Sequence, residues 1–162
     1  FFKYDPGVKD EIEYLSNAYQ EYTSGYATSL VRSTSEQLFE QHCEGRDDIE
    51  WVYKNGDTGQ QYFSIVYLDS LQHQWLFYAD YIVMKKDGTV WVIETKGGES
   101  KGKDKNIDPQ IENKFNAFKM YAANHGLHWG FVRDKDNRLY INNTEFAIDM
   151  ADEHWKPINQ VF

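Results

Sequence analysis

Residues Phe77 to Gly98, FYADYIVMKKDGTVWVIETKGG, contain two apolar runs joined by an Asp-Gly pair of the kind that closes a β-hairpin. The first run carries Asp80, and the second ends in Glu94, Thr95 and Lys96. Because residues i and i+2 of a strand share a face, Glu94 and Lys96 point the same way. Charges are costly to bury among apolar neighbours unless they are paired or bind a metal. The segment therefore predicts a site for a divalent cation beside a phosphodiester.

The register of this hairpin determines whether its two acids meet. A two-residue turn on Asp87-Gly88 places Asp80 opposite Thr95 and leaves the acids on opposite faces. A three-residue loop over Lys86 to Gly88, with its glycine left-handed, places Asp80 opposite Glu94, about 5 Å apart at Cβ. We predict the three-residue loop, or an equivalent bulge, because only this register brings the carboxylates together.

The composition is that of one globular domain. Its 162 residues can bury a core, and 41% of them are hydrophobic, which excludes a disordered chain. A single cysteine excludes a disulfide framework and fits a reducing compartment. No apolar run approaches the roughly 18 residues of a membrane span, and no signal peptide is evident. The chain begins Phe1-Phe2-Lys3 without an initiator Met, so we expect either a processed chain or, in preference, a piece of a longer protein.

The net charge of −9 bears on the binding partner. It argues against a free-standing nucleic-acid binder that grips by bulk positive charge. It does not exclude a nuclease, because a carboxylate-rich metal site itself adds negative charge and the rest of a parent protein can hold the DNA.

The hydrophobic periodicity predicts an α/β or α+β domain with a central mixed sheet flanked by helices. After an N-terminal helix at Asp10–Glu21, the order is α-β-β-β-β-α-β-β. The next helix begins with a capping box of Ser33 and Glu36 and ends near Gly45. The last begins at Asp108-Pro109 and ends at Asn124 to Gly126. The predicted strands are Ile49–Lys54, Gln61–Leu68, Trp75–Met84, Thr89–Lys96, Leu127–Arg133 and Arg138–Asn142, with a mobile loop at Gly97–Asn106 and a turn at Asp134 to Asn137.

Asp80, Glu94 and Lys96 suit the hydrolysis of a phosphodiester by a metal-activated water. Mg²⁺ takes oxygen ligands and needs only one or two carboxylates beside a substrate phosphate. Lys96 would orient the water or offset charge on the phosphorane, and the main-chain carbonyl of Thr95 is a further candidate ligand. The alternative is that Glu94 and Lys96 are a solvated strand end and Asp80 an acid near a turn. An acid followed further along the chain by acid-x-Lys often arises by chance.

At this point the chain resembles a known family. The helix with Glu36, the strand meander, Asp80 and Glu94-Thr95-Lys96 are similar to the PD-(D/E)XK nuclease superfamily. The chain resembles more closely the endonuclease domain that ends the restriction subunit of type III restriction–modification enzymes and related helicase–nuclease proteins. Ala79 replaces the usual Pro before the Asp. The likeness covers roughly Ser33 to Arg133 and is carried by Ser35–Phe39, Trp51–Asn55, Phe77–Gly98 and Asn113–Phe115.

The resemblance implies a restriction-endonuclease-like core and a Mg²⁺-dependent DNA endonuclease, with Mn²⁺ as a substitute. Asp80 and Glu94 would be metal ligands and Lys96 the catalytic lysine. The first-helix acid would be Glu36, which completes the metal shell or holds its water, with Glu40 as the fallback.

The resemblance also implies an organisation and partners. Residues 1–32 form a helical extension, 33–143 the nuclease core and 144–162 a tail packed on the core. The expected partners are DNA, a helicase or translocase region of the same parent protein and a methyltransferase subunit, in a prokaryotic cytoplasm and without a membrane. ATP would act only through a motor outside this chain, because the sequence lacks a G-x-x-x-x-G-K-[ST] phosphate loop.

Four lysines are candidate phosphate contacts: Lys54, Lys101, Lys103 and Lys114. The alternative for each lysine is an ordinary solvated side chain without a role in binding. Two other functions stay open. The chain could be a nuclease-fold module that has lost activity and binds DNA or a subunit, or it could be an unrelated α+β interaction domain whose acids and lysine meet by coincidence.

Overall fold

The computed structural model describes residues 32–56, 62–100, 103–104 and 108–162, with only the main chain of residues 100, 103 and 104. The predicted helix at Asp10–Glu21 lies outside the described residues, as do Lys101 and the side chain of Lys103. Within the described part the chain forms an α+β structure, in which a mixed sheet is covered by one helix on each face. The predicted class and the central mixed sheet are therefore confirmed.

The described residues form two α-helices, nine strands and one short 3₁₀-helix. The helices are α1 (Thr34–Glu44) and α2 (Ile111–His125), and the 3₁₀-helix is Ile158–Gln160. The strands are β1 (Ile49–Lys54), β2 (Ile65–Leu68), β3 (Gln74–Phe77), β4 (Tyr81–Lys85), β5 (Val90–Ser100), β6 (Lys103–Asp104), β7 (His128–Lys135), β8 (Arg138–Asn142) and β9 (Lys156–Pro157).

The main sheet has the strand order β1-β4-β5-β7-β8-β9, and β6 pairs with the far end of β5. Strands β5 and β7 are parallel, and α2 forms the crossover between them, whereas the other pairs are antiparallel. Strands β2 and β3 form a separate antiparallel hairpin. Strand β5 is thus central in the main sheet, and the charged end of the Phe77–Gly98 segment lies on it.

The β4–β5 hairpin has the predicted three-residue loop. Tyr81 pairs with Ile93 in the ladder. The Lys85 N–H donates to the Thr89 carbonyl at 2.9 Å, and Gly88 has a φ of +86°. The left-handed conformation, which favours glycine, explains the Asp-Gly pair. The residues next to the Tyr81–Ile93 pair are Asp80 and Glu94, so the register carries these two acids to the same end of the ladder.

Helix α1 begins with the predicted capping box. Glu36 N–H donates to Ser33 Oγ at 3.3 Å, and Ser33 N–H donates to Glu36 Oε2 at 2.7 Å. The helix ends at Gly45, as predicted. Its buried face carries Ser35, Phe39 and Cys43. The cap therefore fixes one carboxylate oxygen of Glu36 and leaves the other to face the sheet.

Two apolar cores lie on opposite faces of the sheet. Alternation along β5 directs Trp91 and Ile93 toward α1 and Val92 toward α2, so Glu94 continues the α2 side. The C-terminal Phe162 is buried in the first core, with its ring centroid 5.2 Å from that of Trp91. The first core includes Phe39, Cys43, Tyr81, Val83 and Val132, and the second includes Phe77, Phe115, Phe118, Trp129 and Phe131.

The prediction of one strand over Trp75–Met84 is wrong. The chain leaves the β2–β3 hairpin after Phe77 and enters the main sheet only at Tyr81. The break is held by the buried Asn55, which follows β1. Its side-chain amide donates to the Ala79 carbonyl at 2.9 Å, and its N–H donates to the Asp80 carbonyl at 2.8 Å. These tertiary hydrogen bonds replace ladder pairing at residues 78–80. Of the strand predicted at Gln61–Leu68, Gln61 lies outside the described residues, and the described part becomes a strand at Ile65.

The prediction of a mobile loop from Gly97 is wrong where the structure describes it. Strand β5 continues to Ser100, with a register shift between Lys96 and Glu99 in its pairing to β7. A Cβ atom on Gly98 would lie 1.8 Å from the Asp134 main-chain oxygen, so only glycine permits this close approach. The predicted four-residue turn after β7 is also shorter, with Asp136 and Asn137 at φ values of +49° and +61°.

No described helix combines the length and the apolar character that crossing a bilayer requires.

Candidate active site

Asp80, Glu94 and Lys96, the three residues predicted to act together, do meet at the end of the β4–β5 ladder. The Lys96 ammonium forms an ion pair with Glu94 Oε1. Asp80 accepts hydrogen bonds from the residue between them, Thr95, through its N–H at 2.8 Å and its Oγ1–H at 2.6 Å. The hairpin register and the i, i+2 spacing on β5 produce this grouping.

Asp80 is held as a carboxylate. Burial disfavours its charge, but the Lys54 ammonium and the two Thr95 hydrogen bonds outweigh burial and keep the pKa of Asp80 below its ordinary value. Lys54 Nζ lies 2.9 Å from Asp80 Oδ1, whereas both Thr95 bonds reach Oδ2. The side chain is therefore fixed at both oxygens, yet Oδ1 has an acceptor position to spare.

Glu94 is the acid of the site whose burial is least balanced by hydrogen bonds and opposite charges. The residue is 4% exposed, and its Oε2 is the buried side-chain oxygen that has no hydrogen-bond partner among the described residues. Burial, with the nearby charge of Asp80, raises the pKa of Glu94 to about 8 despite the opposing effect of Lys96. An unpaired buried oxygen costs roughly 1–3 kcal/mol, and a cation or a water bound to it would remove that cost.

Lys96 stays charged within this cluster. Burial acts against its ammonium, but the carboxylates of Glu94 and Asp80 outweigh burial and raise the pKa of Lys96. Its Nζ lies 6.0 Å from the centroid of the Phe77 ring, beneath α2. Lys96 can therefore act as a fixed positive charge and hydrogen-bond donor, and it is not a base at neutral pH.

Among the described residues, Lys54 links Glu36 to the site. Lys54 Nζ lies 2.8 Å from Glu36 Oε1 and 2.9 Å from Asp80 Oδ1, and its side chain is 14% exposed. No three His, Cys, Asp or Glu side chains of the described residues form a group that could hold a metal ion. The structure thus brings Asp80, Glu94 and Lys96 together, and it places a lysine between Asp80 and the helix acid.

Glu40, the fallback helix acid, is occupied elsewhere. Its Oε1 accepts from Arg32 Nε at 2.8 Å and from the Tyr81 hydroxyl at 2.6 Å. Both contacts lie on the α1 side of the sheet, on which the Tyr81 side chain packs. Between the two acids, Glu36 is therefore the one linked to Asp80.

Lys114, a predicted phosphate contact, lies beside the cluster. Its ammonium pairs with Asp108 and lies 6.0 Å from the centroid of the Phe77 ring, the ring that Lys96 also approaches. Lys54, another predicted phosphate contact, is instead enclosed by carboxylates. Sequence reasoning missed this role of Lys54, because it depends on the pairing of β1 with β4, in which Lys54 lies opposite Tyr81.

The oxygen donors of this site fit a divalent cation. Glu94 Oε2 is open, Asp80 Oδ1 retains acceptor capacity, and the Thr95 carbonyl projects from the same strand edge as its N–H, toward Asp80. Three carboxylates, Glu36, Asp80 and Glu94, stand against the ammonium groups of Lys54 and Lys96. An ionised Glu94 therefore leaves one uncompensated negative charge. Oxygen-only donors with this charge are what Mg²⁺ and Mn²⁺ select.

A cleft of about 680 Å³ lies apart from these residues, between β2 and α2. Tyr67, Leu68, Asn113, Ala117 and Met120 are among its lining residues, and none of the predicted site residues lines it. The cleft therefore does not form part of the candidate site.

Comparison of the chain with protein-family models, with curated proteins and with solved structures gives no significant match.

Proposed function

We propose that the protein is a Mg²⁺-dependent DNA endonuclease domain with a restriction-endonuclease-like core, which hydrolyses phosphodiester bonds. The observation that carries the proposal is the convergence of Asp80, Glu94 and Lys96 at the end of one hairpin. Glu94 contributes a buried oxygen without a partner among the described residues, which is a position for a cation. Mn²⁺ would substitute for Mg²⁺ at the same oxygens.

The chain's own residues have distinct tasks in this reaction. A bound Mg²⁺ supplies Lewis acidity at the phosphate and eases the ionisation of the attacking water. Asp80, oriented by Thr95, and Glu94 hold the ion, and Glu94 must lose its proton to do so. Lys96 donates to the attacking water or to a phosphate oxygen and offsets the charge that develops there.

The rest of a parent protein would supply the surface that binds DNA. The net charge of −9 gives this chain no bulk attraction for DNA, and Lys54 and Lys114 are both paired with carboxylates. The resemblance of the sequence implies that such a parent is a prokaryotic, cytoplasmic type III restriction-like or helicase–nuclease protein. Its partners would be a helicase or translocase region of that protein, with its own ATP site, and a methyltransferase subunit.

Plasmid nicking by the parent protein with Mg²⁺ tests this function. Asp80→Ala and Lys96→Ala should abolish nicking, because one removes a metal ligand and the other the charge at the phosphate. Lys119→Ala is the matched control, since Lys119 pairs with Glu145 on the surface and should leave nicking unchanged. Circular dichroism checks that each variant folds. Nicking at the wild-type rate in the folded Asp80 and Lys96 variants would show that the site is wrong.

A second candidate is a catalytically inactive nuclease-fold module that binds DNA or a subunit, and one exposed apolar surface supports its subunit-binding form. The outer face of the β2–β3 hairpin exposes Val66, Leu68 and Leu76, each at least 45% exposed, in a strongly acidic chain. For this function the wild-type parent protein would nick no plasmid with either Mg²⁺ or Mn²⁺.

A further inference from the structure

The Lys54 ammonium lies between two carboxylates that belong to different elements. Glu36 projects from the first turn of α1, and Asp80 precedes β4. Nζ is 2.8 Å from Glu36 Oε1 and 2.9 Å from Asp80 Oδ1, and its side chain is 14% exposed. The two carboxylates therefore form a cation site, and the cation that occupies it is a lysine side chain of the protein itself.

Each carboxylate presents one oxygen to Lys54 and is anchored through the other. Glu36 Oε2 accepts from the Ser33 N–H at 2.7 Å, and Asp80 Oδ2 accepts from Thr95. The two oxygens that face Lys54 are therefore aimed by the helix cap and by β5. In the absence of the Lys54 ammonium, these two oxygens would be the residues' ligands for a second divalent ion.

We propose that Lys54 Nζ occupies a second cation position, so that the site takes one divalent ion, at Asp80 and Glu94, and not two. The inference rests on the proposed function, since it concerns the same metal site. Asp80 would be shared by the two positions, with Thr95 fixing it between them. Lys54 is thus a positioning residue that holds Asp80 and Glu36 in place of a second metal.

The charges of the cluster support one divalent ion. Glu36, Asp80 and Glu94 carry three negative charges when ionised, against the two positive charges of Lys54 and Lys96. One divalent ion changes a balance of −1 to +1, which suits an incoming phosphate. A second ion beside Lys54 would raise the balance to +3 in a buried site, which Coulomb repulsion strongly disfavours. Removal of the Lys54 charge would lower the balance with two ions from +3 to +2 and free both carboxylate oxygens for the second ion.

Titration calorimetry with Mn²⁺ on the full chain tests the inference through stoichiometry. The wild-type chain should bind one Mn²⁺, and Lys54→Met should bind two, because methionine keeps the apolar stem without the charge. The double variant Lys54→Met with Glu36→Gln should return to one, since the second position then lacks a ligand. Lys119→Met is the matched control and should keep one, because Lys119 pairs with Glu145 on the surface, away from the cluster.

The outcomes separate this inference from the proposed function. One Mn²⁺ in both the wild type and Lys54→Met would overturn the second position and leave the metal site standing, as would two in the wild type. No Mn²⁺ in either would overturn the metal site and the inference together. If Lys54→Met fails to fold, as judged by circular dichroism, Lys54→Gln serves instead. Gln keeps a donor for one carboxylate and removes the charge, and it should also raise the stoichiometry to two.

Discussion

Glu94 is the residue on which the chemistry of the cluster depends. The charged groups near it are Asp80, Lys96 and Lys54. Burial, with the negative charge of Asp80, raises the pKa of Glu94 by more than the two lysines lower it. The resulting pKa of about 8 means that, without metal, Glu94 is largely protonated at neutral pH, and its contact with Lys96 is then a hydrogen bond; it becomes an ion pair when the proton is lost. A divalent cation would displace that proton. The same group therefore links stability, pH and metal binding.

The Glu94 proton should make stability fall as pH rises. In the unfolded chain the carboxyl ionises near 4.5, and in the folded chain near 8, so between these values the folded state binds more protons. Without metal, the free energy of unfolding of the wild type should decrease from about pH 5 to about pH 8 relative to that of Glu94→Gln. Urea unfolding at both pH values measures this. Parallel pH dependence in the two proteins would contradict the raised pKa.

The β4–β5 hairpin and helix α1 are the elements that position the site, and both were predictable from the sequence. Their signals are local: an Asp-Gly pair with left-handed Gly88, and a capping box of Ser33 and Glu36. The break between β3 and β4 was not predictable, because the Asn55 side chain that holds it comes from another strand end. The link from Glu36 to Asp80 was missed for the same reason, since Lys54 becomes their neighbour only through strand pairing.

Gly88→Ala should destabilise the protein by about 1 kcal/mol. A Cβ atom there would meet nothing within 4 Å, so the cost comes only from the left-handed backbone at a φ of +86°. Gly88→Asn should cost less, because asparagine tolerates this conformation. Denaturant unfolding of the three proteins measures the difference. Equal stability of the alanine variant and the wild type would count against the three-residue loop.

Ser33→Ala should cost about 1 kcal/mol through loss of the helix cap. Ser33→Asp keeps an acceptor for the Glu36 N–H and should retain most of the stability. Thermal unfolding followed by circular dichroism compares them. If alanine and aspartate give the same stability, the capping box does not hold α1.

At the scale of the whole molecule, the site lies where three strands and a helix meet. Strands β1, β4 and β5 bring Lys54, Asp80 and Glu94 to one region, and α1 adds Glu36. The C-terminal segment closes the core on the α1 side, where Phe162 packs against Phe39 and Trp91. A tail packed on the core was expected from the sequence, but periodicity could not identify which of its residues enter the core, because those contacts are single side chains among distant strands.

Phe162→Ala should lower the free energy of unfolding by about 3 kcal/mol, as truncation of a buried aromatic ring does. Phe162 is 3% exposed, whereas Leu71 at the tip of the β2–β3 hairpin is 73% exposed. Leu71→Ala is therefore the control and should change stability by less than about 0.5 kcal/mol. Chemical denaturation measures both. Similar effects of the two substitutions would contradict the packing of the C-terminal segment on the core.

The most direct test of the account is calorimetric titration of Mn²⁺ into the wild-type chain and into Glu94→Ala. Glu145→Ala, which removes a surface carboxylate paired with Lys119, is the control. We expect one Mn²⁺ to bind the wild type and the control, and binding to be lost in Glu94→Ala because the open carboxylate oxygen is gone. Absence of Mn²⁺ binding by the wild type, or equal affinity in Glu94→Ala, would contradict a divalent cation site at Asp80 and Glu94.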